Sequence, residues 1–214
     1  MAEAEGVIKF RLQFTKTNLP PSPELDELLV WRDRFYRLGI IGYDPLRYHG
    51  DAFGNISHRI GDSDSFLISG SQSGKYQHAL PEHFACVDSF ELYENRIEAH
   101  GPIQPSSESL THGAIYAMSP AVRCVVHGHS PQLWTRTSEL GLPSTPPSVA
   151  YGTPDMALAI AQLYRESGEP ELAIFSMLGH EDGFIAYGRE FSAIEELVRS
   201  QLDLARGGPS HRSG

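Results

Sequence analysis

Residues 105–130 read PSSESLTHGAIYAMSPAVRCVVHGHS. The stretch opens on polar residues that suit a helix start and runs through a mostly apolar helical pattern. It ends on VRCVV, a β-branched run that delivers His127-Gly128-His129 at its end. Positions i and i+2 of a strand project to one face, so the two imidazoles point the same way, beside Val125. Val122, Cys124 and Val126 take the other face. Two histidines at that spacing can share one divalent ion, and the glycine between them leaves room near it. Read alone, the pair fits a hydrogen-bonded couple at a strand end equally well.

Outward from this stretch the pattern alternates between strands and helices. Toward the N-terminus, Val7–Phe14 alternates as an edge strand within a polar extension of residues 1–20. Ser22-Pro23 caps a helix carrying Leu25, Leu28, Leu29 and Phe35 on one side, and Gly39 closes it. Between Gly54 and Ala99, the segments NISHRI, SFLIS, FACVD, FELYE and NRIEAH read as short strands. Their separations are too short for helical crossovers, which predicts antiparallel pairing. Toward the C-terminus, Thr153-Pro154 starts a helix stopped by Gly168. LAIFSML and FIAYG are strands, and Arg189–Arg206 is an amphipathic helix. The expectation is one α/β domain over residues 21–207, a mainly antiparallel sheet flanked by helices, followed by a disordered tail at 208–214.

Composition narrows the function. The chain has 214 residues, 17 Lys+Arg and 27 Asp+Glu, a formal net charge of −10. An acidic balance excludes a nucleic-acid or polybasic membrane-surface role, because both need basic patches against phosphates. No apolar run reaches the ~18 residues of a membrane span. MAEAEGVIKF has neither the basic nor the apolar region of a signal peptide. With only Cys86 and Cys124, the expected compartment is the reducing cytoplasm. The ten histidines favour metal or acid–base chemistry. The three lysines, Lys9, Lys16 and Lys75, weigh against a Schiff-base mechanism, which needs a buried lysine.

Three further groups are candidates for a site. His180, in LGHEDGFIAYG, sits where a buried strand emerges, although the segment also reads as a plain polar turn. Glu108 lies in the first turn of a helix capped by Ser106 or Ser107, where it complements the helix dipole or serves as a ligand or proton carrier. His112, four residues on, reads as a structural hydrogen-bond partner. The turns GNIS at 54–57 and SGSQSG at 69–74, with the two serines before Glu108, can present N–H and hydroxyl groups to a phosphate.

In their order, GNIS, FLISGSQSG, PSSESLTHGAIY, VVHGHS and LGHEDGFIAYG resemble the class II aldolase/adducin domain family over roughly residues 25 to 205. The resemblance implies a three-layer α/β/α fold and a four-fold homotetramer. It implies a Zn²⁺-type site of His127, His129 and His180, with Mn²⁺, Fe²⁺ or Co²⁺ as other suitable ions. Glu108 matches the catalytic carboxylate, which can also ligate the resting metal. Asn55, Ser69, Gly70, Ser106 and Ser107 match positions that hold substrate phosphate. The implied reaction is aldolase-like C–C cleavage or formation in a small sugar phosphate or related hydroxy-carbonyl compound, through a metal-stabilised enediolate. An epimerase or dehydratase would use the same site, and an adducin-like scaffold would use none of it. Two segments depart from the pattern: HEDG stands where the sugar-phosphate aldolases place His directly before Gly, and SGSQSG where they have Thr-x-x-Gly.

Overall fold

A computed structural model describes residues 7–207. The expected tail at 208–214 lies outside the described residues. In chain order the elements are β1 (Arg11–Lys16), α1 (Pro23–Leu38), β2 (Gly42–Tyr43), β3 (Ala52–Phe53), β4 (Asn55–Arg59), β5 (Phe66–Ser69), β6 (Phe84–Glu91) and β7 (Arg96–Gly101). There follow α2 (Ser109–Met118), β8 (Cys124–His129), α3 (Pro131–Thr135), β9 (Ser144–Thr145), α4 (Pro154–Glu166), β10 (Ala173–Met177), β11 (Gly183–Gly188) and α5 (Phe191–Ala205).

Nine strands form one sheet in the order β1-β7-β6-β5-β4-β8-β11-β10-β9, and β2 pairs with β3 beside it. The sheet is mixed. Its interior pairings are antiparallel, but β1 runs parallel to β7 and β9 parallel to β10 at the two edges. Short connections explain the antiparallel runs β4–β5–β6–β7 and β10–β11, whereas β4–β8 and β8–β11 pair strands far apart in the chain. The edges escape that rule because β1 and β9 join strands far along the chain. The expected edge strand is present, shifted from Val7–Phe14 to Arg11–Lys16. FACVD and FELYE are not two strands: β6 runs through the first and ends at Glu91 within the second, with a register shift between Val87 and Ser89.

Each face of the sheet carries its own core. On one side α1, α3 and α5 bring Leu28, Phe35, Leu133, Phe191 and Val198 against Ile56, Leu67, Val126 and Phe184. On the other, α2 and α4 bring Leu110, Ile115, Met156 and Ile160 against Ile68, Val125, Phe175 and Ile185. Strand geometry turns Val125 to one core and Val126 to the other, and because both faces are covered both are apolar; Val122, before the strand begins, packs with Val125 and not with Cys124 and Val126 as alternation predicts. A fully buried aliphatic residue such as Leu28 contributes about 1.5–3 kcal/mol by leaving water.

Helix starts follow local chemistry. The Ser22 side chain accepts from Leu25 N, Ser130 from Leu133 N, and Thr153 from Met156 N, each followed by proline. Ser130-Pro131 therefore starts a short helix that the β-rich reading of VRCVVHGHS passed over. α2 starts later than expected: Glu108 occupies its N-cap position, without a side-chain capping bond.

Candidate metal and substrate site

The central pair of strands places the first two histidines. β8 lies between β4 and β11, with Asn55 opposite His127 and Gly183 opposite His129. His127 and His129 project together toward α2, with their Nε2 atoms 3.1 Å apart. Gly128 projects the other way. A side chain there would meet Phe184 at 2.6 Å and Ile40 at 3.2 Å. The room made by this glycine is therefore filled by the opposite core, not left beside the histidines as the sequence reading had it.

His180 arrives from the turn between β10 and β11. Its ring centroid lies 4.8 Å from that of His127 and 4.7 Å from that of His129. One nitrogen from each of the three rings falls within 4.8 Å of the others. The turn is fixed by backbone crowding: a Cβ on Gly179 would lie 1.8 Å from the Val149 carbonyl oxygen. Glu108 completes the group from the start of α2. Its Oε2 accepts from the Thr111 hydroxyl at 3.0 Å, and its Oε1 lies 3.9 Å from His180 Nδ1.

Burial sets the charge state of the rings. His127 and His129 are 1% and 2% exposed. Their pKa values lie well below the ordinary 6.5, first because burial penalises the charged form and then because neighbours repel a second charge: His180 and His112 for His127, and His180, His127 and Arg47 for His129. Both are neutral at pH 7. His127 Nδ1 lies 2.9 Å from the Phe184 carbonyl, which can only accept, so Nδ1 carries the hydrogen and Nε2 keeps its lone pair. That lone pair faces His129. Fixing the ligand tautomer through a backbone carbonyl is a recurrent arrangement around metal-binding histidines. Three buried imidazoles with a carboxylate alongside suit a divalent cation.

Beside this cluster is a pocket lined by Asn55, Gly70, Ser106, Ser107, Glu108 and His127, among others. The Asn55 Oδ1 atom is buried with no hydrogen-bond partner among the described residues. Ser69 stands apart from its predicted role. Its hydroxyl accepts from Ile56 N at 3.1 Å and donates to Ile56 O at 3.3 Å, tying β5 to β4, and it is not part of the pocket lining. His112 is structural, as its position suggested, sharing a 2.7 Å hydrogen bond with the Ser57 hydroxyl.

The family described as Class II Aldolase and Adducin N-terminal domain matches residues 45–188, which contain every one of these candidate residues. The chain belongs to this family. Among curated relatives, the methylthioribulose-1-phosphate dehydratase of Xanthomonas euvesicatoria is 33% identical over 109 residues, covering 50% of this chain and 43% of that protein. The chain thus spans less than half the length of the curated relatives it matches. A sugar-phosphate aldolase from Thermotoga maritima superimposes with a TM-score of 0.64 at 14% identity, covering 86% of this chain and 92% of that one. The L-fuculose-1-phosphate aldolase of Thermus thermophilus gives 0.58 at 20% identity, covering 86% and 92%. At such identities the structures establish a class II aldolase-like fold.

Within this class II aldolase framework, several residues around the site were not singled out by sequence. Asp182, at φ 62°, accepts from Arg47 at 2.5 Å and from the Tyr48 hydroxyl at 2.8 Å. Tyr48 in turn packs edge-on against His129 at 4.8 Å between centroids. Asp182, one of the two extra residues of HEDG, thus anchors a segment that covers a histidine of the triad. Tyr151 stacks on His180 at 4.4 Å, and Lys9 lies 3.8 Å over the Tyr151 ring. Arg32, buried on α1, donates to the carbonyls of Ser73 and Gln77 and holds the turn after β5. The signal available for Arg32 was an arginine on the apolar side of a helix. Tyr48 and Lys9 carried none, because their partners lie far along the chain.

Proposed function

We propose that this chain is a divalent-metal-dependent lyase acting on a small sugar phosphate or related hydroxy-carbonyl compound, with C–C bond cleavage or formation as its reaction. The observation that carries this reading is the convergence of His127, His129 and His180, with Glu108 alongside, on a pocket edged by polar groups. The three histidines would hold the cation, with Zn²⁺ the leading ion and Mn²⁺, Fe²⁺ or Co²⁺ suited to the same donors. When bound, such an ion supplies Lewis-acid polarisation of a carbonyl and its neighbouring hydroxyl. Glu108 takes and returns a proton at its carboxylate oxygens, steadied by Thr111. Asn55, Gly70, Ser106 and Ser107 orient the phosphate through an amide, backbone N–H groups and hydroxyls. Ser69 contributes only by holding the strand beneath them. The active unit is a homotetramer in the reducing cytoplasm, a compartment that suits two buried free thiols.

A second reading, elimination of water from a sugar phosphate, is favoured by the curated dehydratase relatives. The same proton carrier would serve it. Metal-reconstituted protein offered a panel of ketose 1-phosphates separates the two. Release of two shorter carbonyl products supports cleavage, and a single product lighter by one water supports dehydration. If nothing is turned over and a chelator leaves the melting temperature unchanged, the family's non-catalytic scaffold role replaces both.

A further inference from the structure

A second cluster of metal-ligating groups lies away from the histidine triad, on the strand pair β6–β7. Cys86 on β6 is directly opposite His100 on β7, so their side chains share a face. The register shift between Val87 and Ser89 leaves Asp88 as the extra residue of a bulge. The bulge is visible in the packing. Ile97 and Ala99 face the same core two residues apart, whereas their opposite numbers Phe90 and Val87 are three apart. Bulges re-aim side chains, and here Asp88 reaches both neighbours. Its Oδ1 lies 3.8 Å from Cys86 Sγ and its Oδ2 lies 2.9 Å from His100 Nδ1. One atom from each of the three residues falls within 4.8 Å of the others.

We propose that Cys86, Asp88 and His100 form a second divalent-cation site, selective for thiophilic ions of the zinc and cobalt type. Thiolate, imidazole and carboxylate are all established ligands of such ions, and the thiolate discriminates against magnesium and calcium. The site is open on one side, since the side chains of Asp88 and His100 are 47% and 31% exposed. Water completes the coordination there. Without a cation the thiol keeps its proton, because burial and the Asp88 carboxylate push its pKa up to about 12. Binding exchanges that proton for the metal: the S–H bond breaks, the thiolate takes the cation, and the proton leaves to solvent.

Titration of the metal-free protein with Co²⁺ tests this independently of the triad, which contains no sulfur. The expected result is a near-ultraviolet sulfur-to-cobalt charge-transfer band that reaches saturation by two equivalents, one for the triad and one for this cluster. Cys86→Ala abolishes it, and His100→Ala and Asp88→Asn, at a half-buried and an exposed position outside the two cores, weaken cobalt binding at least tenfold. In Cys124→Ala, which alters the other buried thiol, the band persists. Absence of the band in the native chain, its survival in Cys86→Ala, or unchanged affinity in His100→Ala would overturn the proposal. Failure of the triad to bind metal would leave the band in place, so the two sites are judged separately.

Discussion

Glu108 is the residue on which the proposed chemistry turns. It is 1% exposed, within reach of His180, and its Oε2 accepts from the Thr111 hydroxyl. Glu108→Gln keeps the shape and removes the proton-carrying oxygen. Turnover should fall by about 10²–10⁴, the usual worth of a positioned acid–base group, while the triad retains its metal. A steady-state assay beside elemental analysis checks both halves. The histidines make a separate prediction about acid. His112 is held down to about 3 by burial, and His127 and His129 lie well below their ordinary 6.5. Below about pH 6.5 the unfolded chain binds protons that the folded one refuses, so stability falls as pH falls. Each such ring contributes up to about 1.4 kcal/mol per pH unit. Urea unfolding of the metal-free protein at neutral and mildly acidic pH should show this loss, and a flat profile would contradict neutral buried rings. Strand periodicity paired His127 with His129 and a helix start placed Glu108, both local signals, but His180 joined them only through the order of motifs that resembles the family. Tyr48, Tyr151 and Lys9 were not, because only the folded chain brings them to His129 and His180.

At the scale of elements, the turn from β10 to β11 determines where His180 sits. Gly179 lies against the backbone of Val149, which cannot rotate aside as a side chain would. Gly179→Ala should therefore displace the turn, lower the melting temperature by several degrees and weaken metal binding. Overpacking of this kind costs about 1–3 kcal/mol. Thermal unfolding with and without added zinc measures both effects, and unchanged metal affinity would show that the turn tolerates the shift. The helices and most strands were readable from capping residues and period-2 or helical spacing. The bulge in β6 and the late start of α2 were not, because neither changes the apolar pattern enough to be seen without its partner strand or carboxylate.

At the scale of the molecule, the sheet's order places the site between its central strands, with a helical layer on each face. The order of motifs along the chain made the family visible before the fold was. The parallel edges remained hidden, since hydrophobic alternation carries no strand direction. The proposed homotetramer predicts a light-scattering mass four times that of the chain, and a monomer would remove that part of the proposal without touching the proposed metal centre. The central claim is that His127, His129 and His180 hold one divalent cation. It is tested most directly by elemental analysis of two dialysed proteins, Cys86→Ala and the same chain also carrying His129→Ala. The first silences the β6–β7 cluster, so any remaining ion reports the triad. One ion per chain in the first protein and none in the second is the predicted result; no ion in the first, or equal content in both, would contradict it.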